Sequence, residues 1–520
     1  MKLVPVIALA LLIFVCEFSP SPVASPPQAP IARATPAPTP NIDPNAYLKP
    51  WNTGEKITVR ARKGEDLGIL INAADKQLTG SGKKGIIKIE GGGSIRTQVT
   101  FNHDAQFDSS TYSCDIQGIT DQGCFLIADN TRIEGTWRPP QALLDYFKHG
   151  KGWDYNDPYL KAVQALTAED LAGTGTTILE PTFVAAPPQV PHITVFQALG
   201  DTCCAHTDKA QGIAVRGFHI KGRQKVYDGG VRSTILLGNC YNCTAQENYL
   251  EDTASIGITA GGSALEFRKQ LPNGSVITLK DNHARKVLFY RNVTSGVAAA
   301  NIASVNGEEI YIGENYARRP GHKDEVLPDG RPSTFGGGVC HVDFESNSSA
   351  DYTGGIVWNN LSDYEGAAKA GNAMCLQDPY GGVNHKPITA VNNIAIGGRG
   401  VYSMDRYMSN GFFLNGLTGY RVSNNYVFRT GQNAIQAYAI KQCVIEDNDF
   451  ESTGGGGNAT VWLKDSVNNT FRRNHYRARP GLNINTQSGF LEICGSNNTY
   501  QNNLTLGKDV PSVRREPCRQ

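Results

Sequence analysis

The feature that most constrains this 520-residue chain is a recurring asparagine. Through the second half, a strand-like stretch, then Asn, then another strand-like stretch recurs as TAQENYLED, LFYRNVTSG, YIGENYARR, IVWNNLSDY, TAVNNIAIG, RVSNNYVFR, VIEDNDFES, TFRRNHYRA and TYQNNLTLG. The aligned residues are Asn248, Asn292, Asn315, Asn360, Asn393, Asn425, Asn448, Asn474 and Asn503. Self-similarity on this scale marks a repeat architecture in which each unit buries its apolar face only against its neighbours. The intervals suit one coil of three short strands, with loops inserted where the interval lengthens. A propeller would need four strands per blade at a longer, regular period.

An asparagine suits such a corner for two reasons. It takes the left-handed conformation more readily than other non-glycine residues, so each Asn is expected there. Coils stacked about 4.8 Å apart also let successive side-chain amides bond one another. A second strand precedes each corner, in SIGITA, VAAANIA, VCHVDFES, AMCLQD, GVYSMD, NAIQAYA, ATVWLK and GFLEIC. Alternation along these runs predicts one face in the interior and one in solvent. The predicted fold is all-β: a right-handed parallel β-helix solenoid. Residues 66–78, DLGILINAADKQL, have helical apolar spacing and are expected to cap its first coil. Residues 140–175 break the pattern and are expected to form a partly helical insertion.

Lys and Arg number 49 against 48 Asp and Glu, a net charge of +1 that argues against nucleic acid as partner. The apolar run from Leu3 to Cys16 follows Lys2; it is short for a bilayer span and matches the core of a secretory signal. The expected organisation is a signal segment over 1–24, a Pro- and Ala-rich linker over 25–46, the β-helix over 47–506 and a tail over 507–520. Such a linker cannot bury enough apolar area to order itself. The expected location is secreted or periplasmic, with lipid attachment at Cys16 as the lesser alternative. Among the 12 cysteines, Cys114 with Cys124 and Cys240 with Cys243 are expected to pair; zinc at the latter two is the alternative. Cys340, Cys375 and Cys494 read as core residues.

On FLIADNTRIEGTW, GIAVRGFHIKG and the Asn-corner coils, the chain resembles the pectin-lyase-like superfamily of right-handed β-helix proteins, over roughly residues 60–506. The resemblance implies a polysaccharide lyase, glycosidase or uronan epimerase, or a non-catalytic surface solenoid. Motifs of particular activities are missing: no NTD…DD…GHG series of polygalacturonases, no WIDH of pectate lyases and no DPHD of mannuronan epimerases. LQDPYGG at 376–382 shares only Asp-Pro with the last. NGEEIYIG at 306–313 is similar to a stretch of alginate and chondroitin lyases, but Tyr311 stands where they carry arginine.

The strongest chemical grouping is CHVDFES, residues 340–346. With Val342 and Phe344 facing in, His341, Asp343 and Glu345 are expected to face out, about 7 Å apart along the strand. Neighbouring coils are expected to lay Gln377 with Asp378, Ser403 with Asp405 and Arg406, and Gln436 with Tyr438 beside them. Two carboxyls so spaced suit an inverting glycosidase. A lyase or epimerase would instead use His341, a lysine or Tyr438 as base, with Arg406 neutralising the sugar carboxylate. A solvated strand face that resists edge pairing is the alternative. The candidate catalytic residues are therefore His341, Asp343, Glu345, Asp378, Asp405 and Arg406. Gln377, Tyr438, and Arg318, Arg319, His322 and Lys323 of the 317–338 insertion are candidate polymer contacts. Trp358, Tyr364, Tyr380, Tyr402 and Tyr407 are candidates for sugar stacking. No cofactor is expected unless calcium assists a lyase. The expected partner is a polysaccharide, with no membrane span and a monomeric chain.

Overall fold

A computed structural model describes residues 40–82, 84–116, 123–149, 154–181, 194–198, 210–222, 233–253, 256–261, 267–270, 276–279, 283–297, 299–320, 339–365, 371–397, 410–453, 459–477, 488–503 and 513–518. The expected signal segment lies outside them. Among the described residues, three long parallel sheets, of 15, 12 and 13 strands, are built from strands between Lys56 and Glu516. Each coil contributes one strand to each sheet in turn, which makes the fold a right-handed parallel β-helix. One coil reads Gly307–Gly313 in the first sheet, Tyr316–Arg318 in the second and Val339–Glu345 in the third, before Thr353–Trp358 returns to the first.

The interior is filled by like positions stacked coil on coil. In the third sheet, Val342 pairs in register with Met374, Met374 with Phe412, Phe412 with Ile435 and Ile435 with Val461, all buried in one continuous core. Such stacking suits parallel strands, whose inner rows are apolar from end to end.

The corner after the first sheet is held by an unbroken asparagine ladder. From Asn248 to Asn474, the backbone N–H and side-chain amide of each Asn donate to Oδ1 of the next, the last acceptor being Asn503. Each amide also reaches a carbonyl of the preceding coil, as Asn393 reaches Val357. The backbone geometry differs from the sequence expectation. The left-handed residue is the one before each Asn: Glu247, Arg291, Glu314, Asn359, Asn392, Asn424, Asp447, Arg473 and Asn502, with φ between 50° and 56°. The ladder Asn must aim its amide along the stack, so the preceding residue takes the tight step. Arg or Glu there costs roughly 1–2 kcal/mol, which the buried amide bonds offset.

The ends and flanks follow from apolar patterning. Helix Leu67–Gly80, capped by Asp66 on the Gly68 N–H, lays Leu67, Ile71, Ala74 and Leu78 over the first coil. Helices Gln141–His149, Pro158–Gln164 and Ala168–Ala172 form the expected insertion. Their Leu143, Phe147, Leu160 and Leu171 cover the outer face of the second sheet at Tyr249, Tyr316, Leu361 and Tyr426. The Pro44–Tyr47 turn and Ile42 pack on the first sheet at Tyr311, Ile356 and Trp358. At the other end, Val513–Glu516 adds a last strand to the third sheet, beside a Cys494–Cys518 disulfide. Disulfides Cys114–Cys124 and Cys240–Cys243 agree with the sequence reading. Cys340, Cys375 and Cys494 do not sit as free core thiols: Cys340 pairs with Cys375 across adjacent coils, and Cys494 with Cys518. Among the described residues, no helix is long and apolar enough to cross a membrane.

Candidate functional site

The outer face of the third sheet carries the strongest concentration of chemistry. Strand Val339–Glu345 pairs with Gly371–Gln377, which pairs with Asn410–Asn415, then Ile435–Tyr438, then Val461–Lys464. Two outward rows result. One reads Asp343, Cys375, Phe413, Gln436, Trp462; the other reads Glu345, Gln377, Asn415, Tyr438, Lys464. Except for buried Cys375 and exposed Lys464, all are half-buried; this face is the candidate groove.

Asp343 and Glu345 face out together, as alternation requires. Burial, reinforced by the Glu345 charge, pushes the Asp343 carboxyl up to about 7, while the amide of Gln377, donating across 3.3 Å, pulls it back. The Cys340–Cys375 disulfide contributes to that burial, since both sulfurs lie within 4.8 Å of an Asp343 oxygen. Burial also raises Glu345, with help from the Asp351 charge. Among the described residues, Cys340, Asp343 and Cys375 form the one trio of metal-type donors this close, but its two sulfurs are joined to each other.

His341 is not part of this face. Its ring is fully buried, and Nδ1 lies 2.6 Å from the Ser362 hydroxyl of the second sheet, inside the coil. Strict alternation breaks inside this strand: His341 and Val342 are both buried, and the pairing with the next coil, present at 339–340 and again from 342, passes over position 341. Asn301, at the matching position one coil earlier, turns in the same way onto Thr294. Burial lowers the His341 ring to about 3.

Asp378 is likewise withdrawn from the groove. It is buried at the turn after the strand, accepts from the Ser346 hydroxyl at 2.8 Å and pairs with the His385 ring. It anchors two successive turns instead of presenting a carboxylate. Asp405 and Arg406 fall outside the described residues. The register expected for Ser403 and Asp405 beside Cys375 and Gln377 is occupied by Phe413 and Asn415 of the strand Asn410–Asn415. Gln377 and Tyr438 stand on the face as expected.

Arg318 lies in the second sheet, paired in register with Asp363, so it flanks the helical insertion and does not overhang the groove. Arg319 is exposed in the left-handed step after it. His322 and Lys323 are outside the described residues. Asp363, which sequence reasoning passed over, is buried beneath the insertion and raised to about 6 by that burial, with Gln164 as a partner.

The aromatic expectation changes too. Trp358 and Tyr364 are buried, Tyr380 is 59% exposed on a turn, and Tyr402 and Tyr407 are outside the described residues. The rings on the groove are Phe413, Tyr438 and Trp462. Tyr438 stands 5.8 Å from Phe413 and 4.8 Å from Trp462 between ring centres. Side chains beside them are fixed by a relay of bonds: the Asn410 amide donates to Gln436 at 2.8 Å, and the Gln436 amide to the Tyr438 hydroxyl at 2.8 Å. Only the alternation in GFFLN and ATVWLK, with correct register, would have singled them out.

Comparison with known proteins gives fold likeness only. No family model matches the chain, and no curated protein sequence matches it. Among solved structures, the A-module of the Azotobacter vinelandii mannuronan C-5 epimerase AlgE4 aligns at 10% identity and TM-score 0.45, over 86% of this chain and 96% of that one. The catalytic unit of a GH87 α-1,3-glucanase from Streptomyces thermodiastaticus aligns at 11% identity and TM-score 0.48, over 89% and 71%. The tailspike of E. coli bacteriophage HK620, solved with a pentasaccharide, aligns at 11% and 0.48, over 84% and 66%. At these values the likenesses decide nothing about chemistry.

Proposed function

We propose that the protein is an exported carbohydrate-active enzyme that cleaves a polysaccharide by hydrolysis in the groove on the third sheet. The observation that carries this reading is the Asp343–Glu345 pair: two carboxyls on one strand face, both made less acidic by burial, one poised near neutrality. Enzymes shift carboxyls in this way to hold a transferable proton at working pH. Residues two apart on a strand stand about 7 Å apart, within the separation that leaves room for a water in an inverting glycosidase. In this scheme Asp343 gives its proton to the glycosidic oxygen as the C–O bond breaks. Glu345 takes a proton from the water that forms the new C–O bond at the anomeric carbon.

The lyase or epimerase scheme loses one candidate base, since His341 is turned inside the coil, while Tyr438 keeps its place on the face; the paired carboxyls are what favour hydrolysis. Export is proposed from the apolar run Leu3 to Cys16. The test is a polysaccharide panel read for new reducing ends and for unsaturated uronates, with Asp343→Asn and Glu345→Gln beside the wild type. New reducing ends lost in both variants support hydrolysis. Unsaturated products would reject it for a lyase, and their sensitivity to a chelator would mark calcium assistance. Binding without any product would make the protein a polymer-binding solenoid.

A further inference from the structure

Polysaccharide grooves must fix a polymer's direction as well as its scissile bond, and the outward rows of the third sheet are not symmetric about Asp343. Toward the N-terminal coils, the Asp343 row continues as Ala303 and Thr259, both buried and small. Toward the C-terminal coils it continues to half-exposed Phe413 and Trp462, two coils apart, with Tyr438 between them in the neighbouring row.

Resting on the reading of Asp343 as the reacting end, we propose that Phe413, Tyr438 and Trp462 form a sugar-stacking platform. It holds a linear polysaccharide parallel to the solenoid axis, with its bound stretch only on the C-terminal side of Asp343. Four coil steps separate the Asp343 strand from the Trp462 strand, or about 19 Å at the spacing of neighbouring strands. That is room for several linked sugar rings. Pyranose rings present apolar C–H faces to aromatic rings, and their hydroxyls need amide partners at the edge of the stack. Gln436 supplies such an edge, already locked between Asn410 and Tyr438, so little side-chain freedom is lost on binding. Outward aromatics on neighbouring strands also stabilise sheets by packing on each other, and that role alone would leave substrate length irrelevant.

The test compares short and long members of the cello-, laminari- and oligogalacturonate series, using binding to the Asp343→Asn chain and turnover by the wild type. The platform requires long oligosaccharides to bind more tightly than disaccharides, and Trp462→Ala to remove about tenfold of that advantage. Trp462→Phe should restore most of it. If polymers are cleaved and Trp462→Ala lowers only the melting temperature, the platform is overturned while the catalytic reading stands. If the wild type neither binds nor alters any series, both fall.

Discussion

The Gln377 side-chain amide reaches across from the next coil to donate to the Asp343 carboxyl over 3.3 Å. That bond favours the ionised form and opposes the burial that raises the group to about 7. Gln377→Leu should therefore raise the Asp343 pKa further. Hydrogen bonds to charged groups are worth about 1.5 kcal/mol or more, roughly one pH unit. The alkaline limb of kcat/KM against pH should move up by about that much, with the acid limb in place. An unmoved alkaline limb would remove Asp343 from the role of proton donor.

Asp343→Asn should lose activity yet gain stability at alkaline pH. A carboxyl whose folded pKa lies above its ordinary 3.8 favours folding fully below that value, and the benefit is lost as pH rises through about 7. Asparagine keeps the uncharged form at every pH. The variant should melt level with wild type near pH 4 and several degrees above it at pH 8 in thermal scans. Turnover should fall on the order of 10²- to 10⁴-fold, as for a lost general acid.

His341 carries the opposite sign. Its folded pKa, lowered to about 3, lies below the ordinary 6.5, so its contribution is present above 6.5 and disappears as pH falls toward 3. His341→Leu should destabilise by about 1–3 kcal/mol at pH 7, chiefly by leaving the buried Ser362 hydroxyl unpaired. In urea titrations the gap between the two proteins should close as pH falls toward 4. Turnover by the folded variant should be close to wild type; its collapse would return His341 to the chemistry.

The asparagine ladder should be unequal along its length. Asn393 accepts from the Asn360 N–H and amide, and donates to Asn425 and Val357. Asn393→Ala leaves several of these buried groups without partners, at about 1–3 kcal/mol each. Asn503 ends the ladder half-exposed, where water replaces the lost bonds. Urea midpoints should fall markedly for Asn393→Ala and slightly for Asn503→Ala. Equal shifts would mean that the amide bonds add little beyond the corner itself.

The solenoid was legible because its cause is local and repeated. Nine Asn corners and eight alternating runs state the same geometry, so errors at single coils average out. The helical cap and insertion were legible for the same reason, as apolar spacing on single elements. His341 was misplaced because strict alternation was carried across a break inside the strand, where His341 and Val342 are both buried. The sequence offers both GVYSMD and NGFFLN for the strand after AMCLQD; Asn410–Asn415 takes that register, and Asp405 lies outside the described residues. Two strand-like runs in one interval cannot be ranked without knowing which one stacks.

The sequence by itself determined the repeat, the parallel β-helix and the outward turn of Asp343 and Glu345, since corner chemistry and period-two alternation act over a few residues. Tertiary structure alone decided what stands beside that pair. Register between coils brings Cys375 of the bridge and the Gln377 amide to it from 32 and 34 positions along the chain, and sets the Phe413, Tyr438 and Trp462 rings along the same face. The stacked coils together, with the bridge against the carboxyl, supply the burial that holds a proton near neutral pH, and no single segment of chain does so.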